Sequence, residues 1–347
     1  MATMTDVAKA ANVSVMTVSR VLNNSGYVKQ ETREAIEKAI KDLDYRPNLL
    51  AKSLVTGRSN IIAYVLSDIS DQFYGSVCKG VEDTCLSRGY TAVICNADAH
   101  TNVDNYIDMI IDRKFDGAIF HHLPVTQEQI ELLEEHDIQC VTVDNEIELE
   151  QVCSIDSDDY MGAFNAVKYL YSRGYHKIGC ICGEDKNISD SHRTHQERYQ
   201  HRIWEARTRG YYDGLKACGL EPAGMYYGRG SADIHTSFEC GRFIMKQLLE
   251  QEDAPDALYC QSDIIAMGVL NVLLETDKQH LQEIGIVGHD GLDICNLMHP
   301  RLTTVVQPKY EMGMTAANML LDKIDTKEVP IEHKIIESEL YIGKTTK

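Results

Sequence analysis

The amino-acid sequence predicts an α/β protein: an N-terminal all-α helix-turn-helix domain followed by two doubly wound parallel-sheet lobes. Three observations predict it. Residues 5–24, TDVAKAANVSVMTVSRVLNN, hold two short helical patterns back to back around ANVS. From Ile61 onward, apolar strands alternate with amphipathic helices. After Asp156 the same alternation restarts, so the chain carries two such units arranged alike.

Composition narrows the class. The chain has 347 residues, more than one compact unit, and 44% hydrophobic residues supply sizeable cores. A net charge of −19 argues against a surface coated all over for nucleic acid. The charge is uneven, however: residues 1–58 hold nine Lys/Arg against six Asp/Glu, and the rest is strongly acidic. A mildly basic head on an acidic body marks a local anion-binding end. The 11 cysteines are scattered through apolar runs such as TAVICNA and KIGCICG, the pattern of reduced thiols. Cys180 and Cys182 have a metal-like spacing, but alternation in an apolar strand produces it as well. No signal peptide opens the sequence and no apolar run approaches a membrane span. A cytoplasmic protein without a membrane partner is expected.

The head is read first. Thr3 can cap a helix beginning at Met4 and running to about Ala10, and Ser14 can cap one from Val15 to about Asn23. A third helix, about Gln30 to Leu43, puts Ile36, Ala39, Ile40 and Leu43 on one face. Val18, Val21 and Leu22 supply the matching stripe of the second helix, and Val7, Ala8 and Ala11 that of the first. Each helix is too short to persist alone, and the trio can share one small core. Met16 and Arg20, four apart, lie opposite that stripe, flanked by Val15 and Thr17. A solvated surface accounts for such a face. So does a recognition helix in the DNA major groove, where Arg20 bonds guanine O6/N7 and Val15 and Met16 meet thymine methyls. Ser14, Thr17, Ser19 and Asn23 are short polar groups suited to phosphate.

In YRPNLLAKSLVTGRSN, residues 45–60, Pro47 disfavours helix at Arg46, NLLAKSL can form one or two turns, and TGRSN is linker chemistry. Leu49, Leu50 and Leu54 need a partner there. Beyond it, IIAYVLS, TAVICN, DGAIFHH and QCVTVD read as buried parallel strands, separated by helices at about 72–88, 102–113 and 126–136. After a helix to about Ser172 come KIGCIC, MYYGRG, ALYCQ and IGIVGHD. SRGY occurs at 87–90 and 172–175, with Gly89 and Gly174 as left-handed helix caps.

The common catalytic signatures are missing. No G-x-G-x-x-G follows the first strand, and neither G-x-x-x-x-G-K-[ST] nor G-x-S-x-G occurs. SHRTHQERYQHR gathers His192, His195 and His201 with arginines, which reads as a charged surface stretch. His121 and His122 stand at a strand end, where ligands of open α/β sheets lie, but the sequence assigns them no role. No acid–base pair is assignable. No enzyme activity, cofactor or metal is expected.

Taken together these segments resemble the lactose-repressor family of bacterial transcription regulators, nearly end to end. TDVAKAANVSVMTVSRVLN resembles the family's DNA-binding signature and YRPNLLAKSL its hinge. SDISDQFY, SDIIAMGVL, IVGHDGLD and LTTVVQP resemble its core motifs, in order. The resemblance implies that Val15, Met16 and Arg20 read bases, with Thr3, Ser14, Thr17, Ser19, Asn23 and Tyr45 completing the DNA-facing set. It implies that Ala51, Lys52 and Leu54 belong to a hinge helix entering the minor groove, the leucines of two subunits wedging apart a base step. It implies a body like a periplasmic sugar-binding protein, with an effector cleft formed by Asp68, Phe73, Tyr74, Asp156, Arg207, Asp263 and Asp290. For each charged member a salt bridge or a helix cap is the plainer role.

The implied division is 1–46 for the helix-turn-helix domain, 47–58 for the hinge helix and linker, and 59–347 for the two-lobed effector-binding and dimerisation domain. Lobe 1 would take about 59–156 and 306–326, and lobe 2 about 157–305 and 327–347. The segment between Gly183 and Arg207 and the stretch GRGSADIHTSFECG are longer than the family's usual loops, and His289 stands where an aromatic is common. No leucine heptad follows the tail, so a homodimer is expected. The expected function is a repressor of carbohydrate-utilisation genes that binds near-palindromic double-stranded DNA under control of a small-molecule effector, a sugar. Alternatives are a purine- or phosphometabolite-responsive or global regulator of the same family, or a sugar-binding transport component.

Overall fold

A computed structural model describes residues 2–23, 25–46, 57–97, 103–123, 125–145, 151–182, 195–227, 238–276, 283–326 and 329–347. The chain forms two compact units, Met1–Ser59 and Asn60–Lys347. The hinge residues Ala51, Lys52 and Leu54 lie outside the described residues, as does most of the 47–58 linker.

Among its described residues the first unit has three helices: α1 (Met4–Ala10), α2 (Val15–Leu22) and α3 (Gln30–Asp42). Their shared core is Val7, Ala8, Val18, Val21, Ile36 and Ala39, with Tyr45 closing one end. Two expectations change. Leu43 follows α3 as its C-cap and is exposed, so the apolar stripe stops at Ile40. Tyr45, expected on the DNA face, is buried in the core, because the turn after α3 folds back to give its N–H to the Ile40 carbonyl at 2.9 Å.

The second unit contains two six-stranded sheets. The first is built from β1 (Ile61–Leu66), β2 (Thr91–Asn96), β3 (Gly117–His121), β4 (Gln139–Val143) and β5 (Cys153–Ser157). Helices α4 (Gln72–Ser87), α5 (Val103–Asp112) and α6 (Gln127–Glu135) connect the first four strands. The second sheet comprises β6 (Ile178–Cys182), β7 (Met225–Tyr227), β8 (Ala257–Cys260), β9 (Gly285–Asp290) and β10 (Thr303–Val306). Its helices are α7 (Asp159–Ser172), α8 (His195–Ala217), α9 (Phe238–Leu248) and α10 (Asp263–Thr276). After α11 (Lys309–Thr326), strand β11 (His333–Ile336) joins the first sheet and β12 (Glu339–Tyr341) the second.

The orders are β11-β5-β4-β3-β1-β2 and β12-β10-β9-β8-β6-β7, parallel but for β12. Strand residues alternate between the two faces, and in the inner strands both faces are buried. Ile62, Tyr64 and Leu66 of β1 meet a core containing α4 and α11, whereas Ala63 and Val65 meet α5 and α6. Cys180 of β6 is an apolar core residue, and all the cysteines are free thiols. Gly89 and Gly174 have φ of 79° and 86°, the left-handed caps that SRGY announces. Gly80 of α4 lets α11 approach so closely that an added Cβ would sit 2.2 Å from the Tyr310 carbonyl oxygen.

The C-terminal segment corrects the expected division. Residues 327–347 are expected in lobe 2, yet Ile335 and Ile336 of β11 pair with Asp156 and Ser157 of β5 in the first sheet. Only β12 and the tail belong to the second. The chain therefore crosses between sheets three times, after β5, after β10 and after β11. Among the described residues, no helix is long and apolar enough to cross a membrane.

Candidate DNA-binding face and effector cleft

In the head, both cap expectations hold. Thr3 and Asp6 form a capping box, with the Asp6 N–H donating to Thr3 Oγ1 at 3.3 Å and the Thr3 N–H to Asp6 Oδ2 at 2.9 Å. Ser14 Oγ accepts from the Thr17 N–H at 3.1 Å, and its hydroxyl pairs with that of Thr17 at 2.8 Å. These hydroxyls first fix where the helices begin. With Val18 and Val21 turned inward, α2 presents Met16 (67% exposed), Val15 (41%) and the exposed Arg20 on the other side. Arg20 Nη2 comes within 4.0 Å of Met16 Sδ, so the two share one face. Asn23 donates to Ser19 Oγ at 3.3 Å on the next turn. No acidic residue occurs in α2, leaving a face of one cation, small hydroxyls and two apolar tips.

In the body, a cavity of about 130 Å³, partly open to solvent, lies where the carboxyl ends of both sheets' strands meet the crossovers. Phe73 and Tyr74 of α4, His122 after β3 and Asp144 after β4 line one side. Asp159 of α7, Trp204 and Arg207 of α8, Ser262 and Asp290 line the other.

Arg207 organises the second side. Its Nε lies 2.7 Å from Asp159 Oδ1, its Nη2 lies 3.1 Å from Asp290 Oδ1, and its Nη1 donates to the Gln261 carbonyl. Trp204, one turn earlier, has its ring centroid 5.4 Å from the guanidinium. One arginine cannot serve both carboxylates equally, and the two titrate apart. Burial pushes Asp159 up, but Arg207 and His289 outweigh it and hold it at about 2. Burial pushes Asp290 up to about 7 against the pull of Arg207 and Lys309. His289 Nε2 stands 3.2 Å from Asp159 Oδ1, its Nδ1 pairs with Tyr259 Oη at 2.7 Å, and burial lowers it to about 4. Gln307 donates to Asp290 Oδ1 at 2.9 Å and accepts from Ser157 Oγ at 2.7 Å, which ties two crossovers to the cleft.

On the first side, His121 Nδ1 pairs with Tyr64 Oη at 2.5 Å, and His122 Nδ1 with Tyr74 Oη at 2.7 Å. Burial lowers His121 to about 3 and His122 to about 4, and raises the Asp144 carboxyl between them to about 6. Both imidazoles are therefore neutral at ordinary pH.

Of the cleft residues expected from the sequence, Phe73, Tyr74, Arg207 and Asp290 line the cavity together. The other three stand outside that lining. Asp68 is exposed, its Oδ1 accepting from the Ser70 N–H at 2.8 Å and Ser70 Oγ at 2.6 Å, which shapes the turn before α4. Asp156 accepts from the Asn145 N–H and from Ser154 Oγ, each at 3.1 Å, bracing β5 against the turn after β4. Asp263 is fully buried, accepting from Thr304 Oγ1 at 2.5 Å and the Leu292 N–H at 2.7 Å. It is a strut joining α10, β10 and the turn after β9. Sequence reading missed Asp144, Asp159 and Trp204. Asp159 follows a helix cap, Asp158, and reads as part of it; the chain's one tryptophan was a signal left unused.

A helical head with an exposed helix face, joined in one chain to a two-lobed α/β body with a cleft of paired charges, defines a ligand-responsive DNA-binding protein. The model for bacterial regulatory proteins of the lacI family matches residues 3–48, and that for a periplasmic binding protein-like domain matches residues 167–346. The chain is 32% identical over 351 residues to the HTH-type transcriptional repressor CytR of Escherichia coli strain K12, covering 100% of this chain and 96% of that one. Among solved structures, the lac repressor dimer bound to operator and the anti-inducer ONPF superposes with a TM-score of 0.80 over 99% of each chain at 22% identity, a likeness of fold. The transcriptional regulator CelR in complex with cellobiose does so at 0.66, over 99% of this chain and 100% of that one, at 25% identity. The chain belongs to the lacI family of bacterial regulatory proteins. It is a transcriptional regulator, not an enzyme.

Proposed function

We propose that the chain is a cytoplasmic, homodimeric repressor of carbohydrate-utilisation genes that binds a near-palindromic operator and is controlled by a sugar held in the cleft. Family membership carries the repressor and effector-binding parts of this reading. The cleft lining carries the choice of ligand. Asp71, Asp144, Asp159 and Asp290 line the cleft with Arg207, so the described lining is acidic and unfavourable to a phosphorylated metabolite. Carboxylates and a guanidinium suit hydroxyl groups, and Phe73, Tyr74 and Trp204 offer faces for a sugar ring. CelR, a relative in fold and sequence, was solved with cellobiose. Those aromatic faces also suit a planar base, which keeps a nucleoside as the second reading.

Val15, Met16 and Arg20 read the operator in this account, and Ser19 and Asn23 contact phosphate beside them. Ala51, Lys52 and Leu54 form the minor-groove hinge. The three crossovers beside the cleft are where closure acts, and a coupling of about 1–3 kcal/mol between cleft and operator is expected.

Trp204 makes the test direct. Titrating the full chain with sugars, sugar phosphates and nucleosides should change its fluorescence with one class only. That ligand should then shift the affinity for a DNA fragment selected from random sequence by 5- to 150-fold or so. No preference over random DNA at matched salt would defeat the repressor reading. A response to nucleosides alone would replace the sugar.

A further inference from the structure

We propose that His121, His122 and Asp144 form a three-ligand site for a zinc-like divalent metal ion, with the fourth position open to the cleft. His121 Nε2 lies 3.4 Å and His122 Nε2 lies 3.7 Å from the same oxygen, Asp144 Oδ2. Both distances are long for hydrogen bonds, and both nitrogens are buried with no partner among the described residues. Each such orphan has given up its hydration with no hydrogen bond in return. The three ligand atoms all lie within 4.8 Å of one another. For zinc, with bonds of about 2.0–2.2 Å, tetrahedral ligand atoms stand roughly 3.3–3.5 Å apart. One cation between the three side chains satisfies both nitrogens and the oxygen once the widest pair, up to 4.8 Å apart, closes by roughly an ångström, a movement that imidazole rotation supplies.

Two further features belong to a metal site. Each imidazole is oriented through its other nitrogen by a tyrosine hydroxyl, Tyr64 for His121 and Tyr74 for His122, the outer-shell arrangement of metal-bound histidines. Asp144 Oδ1 in turn accepts from the Ser157 N–H at 3.1 Å, leaving Oδ2 for the ion. The backbone is also unusual. Consecutive strand residues point to opposite faces, so His121 and His122 would ordinarily diverge. They converge because His122 leaves β3 in the left-handed region, at φ 52°, and Asp144 leaves β4 likewise at φ 48°. His121 is neighbour to Val143 in the parallel register, which sets Asp144 beside it. His122 and Asp144 line the cavity, so an ion held here has an open side.

The test uses the untagged full chain, stripped with a chelator and titrated with Zn(II) against a chromophoric competitor, then with Co(II). Saturable binding of a single equivalent and the intense visible bands of four-coordinate Co(II) are expected. H122Q and D144N should each weaken binding by at least about 10–100-fold, the loss that even outer-shell changes produce. Replacing His192, His195 and His201 by Ala should leave it unchanged. Anomalous scattering at the zinc edge from crystals of the loaded wild type should peak between the three side chains, whether or not the variants fold. No saturable binding, binding that survives both variants, or a peak elsewhere overturns the proposal. None of these readouts involves DNA or effector, so their failure leaves the repressor reading untouched.

Discussion

Arg207→Met separates the charge role of Arg207 from its packing. Arg207 is buried and holds two carboxylates, the buried Asp159 at 2.7 Å and the partly buried Asp290 at 3.1 Å. Methionine keeps much of the stem and removes the charge. Breaking a buried pair by removing one partner costs about 3–5 kcal/mol. The electrostatics of Asp159 give a compatible figure. Lowering its carboxyl from 3.8 to about 2 is worth roughly 2–3 kcal/mol at neutral pH. In the wild type that contribution is present above pH 3.8 and lost as pH falls through 2. Without Arg207, burial, the largest influence on Asp159, is opposed mainly by His289 and raises the folded-state value above 3.8. The folded variant then binds more protons than the unfolded chain, so its deficit grows with rising pH, by up to about 1.4 kcal/mol per unit for one carboxylate. Urea unfolding followed by Trp204 fluorescence reads this at the site itself. With m near about 3 kcal/mol/M, the midpoint at pH 7.5 should fall by roughly 1–1.7 M, and by much less at pH 4.5. A deficit equal at both pH values, or below about 1 kcal/mol at pH 7.5, would refute the two-carboxylate account.

Three other outcomes are expected. Arg20→Ala should weaken operator binding by about 1–3 kcal/mol and relax preference at a single base pair, read by competition between operator variants; equal losses on operator and random DNA would remove it from base reading. Asp290→Asn should lower affinity for the effector more than about tenfold in a Trp204 titration, whereas Asp156→Asn, whose oxygens brace β5, should change it less than about twofold; the reverse order would restore Asp156 to the cleft. Gly80→Ala should destabilise the body by about 1–3 kcal/mol or more in thermal unfolding, since its Cβ meets the Tyr310 carbonyl oxygen at 2.2 Å, and an unchanged midpoint would show that α4 and α11 separate freely.

Much of this protein was legible in local pattern. The caps Thr3 and Ser14, the stripe of Val18 and Val21, and the strands from Ile61 to Asp290 all follow from side-chain periodicity and hydrogen-bonding chemistry between near neighbours. The exposed face of Val15, Met16 and Arg20 follows from the same 3.6-residue period. Resemblance carried Phe73, Tyr74, Arg207 and Asp290 to the cleft.

Tertiary structure decided the rest, because it depends on which distant segments meet. Nothing near Asp263 in sequence says that Thr304 and the Leu292 N–H will occupy its carboxylate. Asp159 reads as a helix start until Arg207, 48 residues away, closes on it. Tyr45 enters the head's core through a turn whose direction no periodicity encodes. Strand β11 leaves the lobe its position suggests because β5 offers an open parallel edge. Composition and local period determine what each segment can become. Register, crossover and the left-handed turns at His122 and Asp144 determine which side chains share a site, and those are properties of the packed sheets.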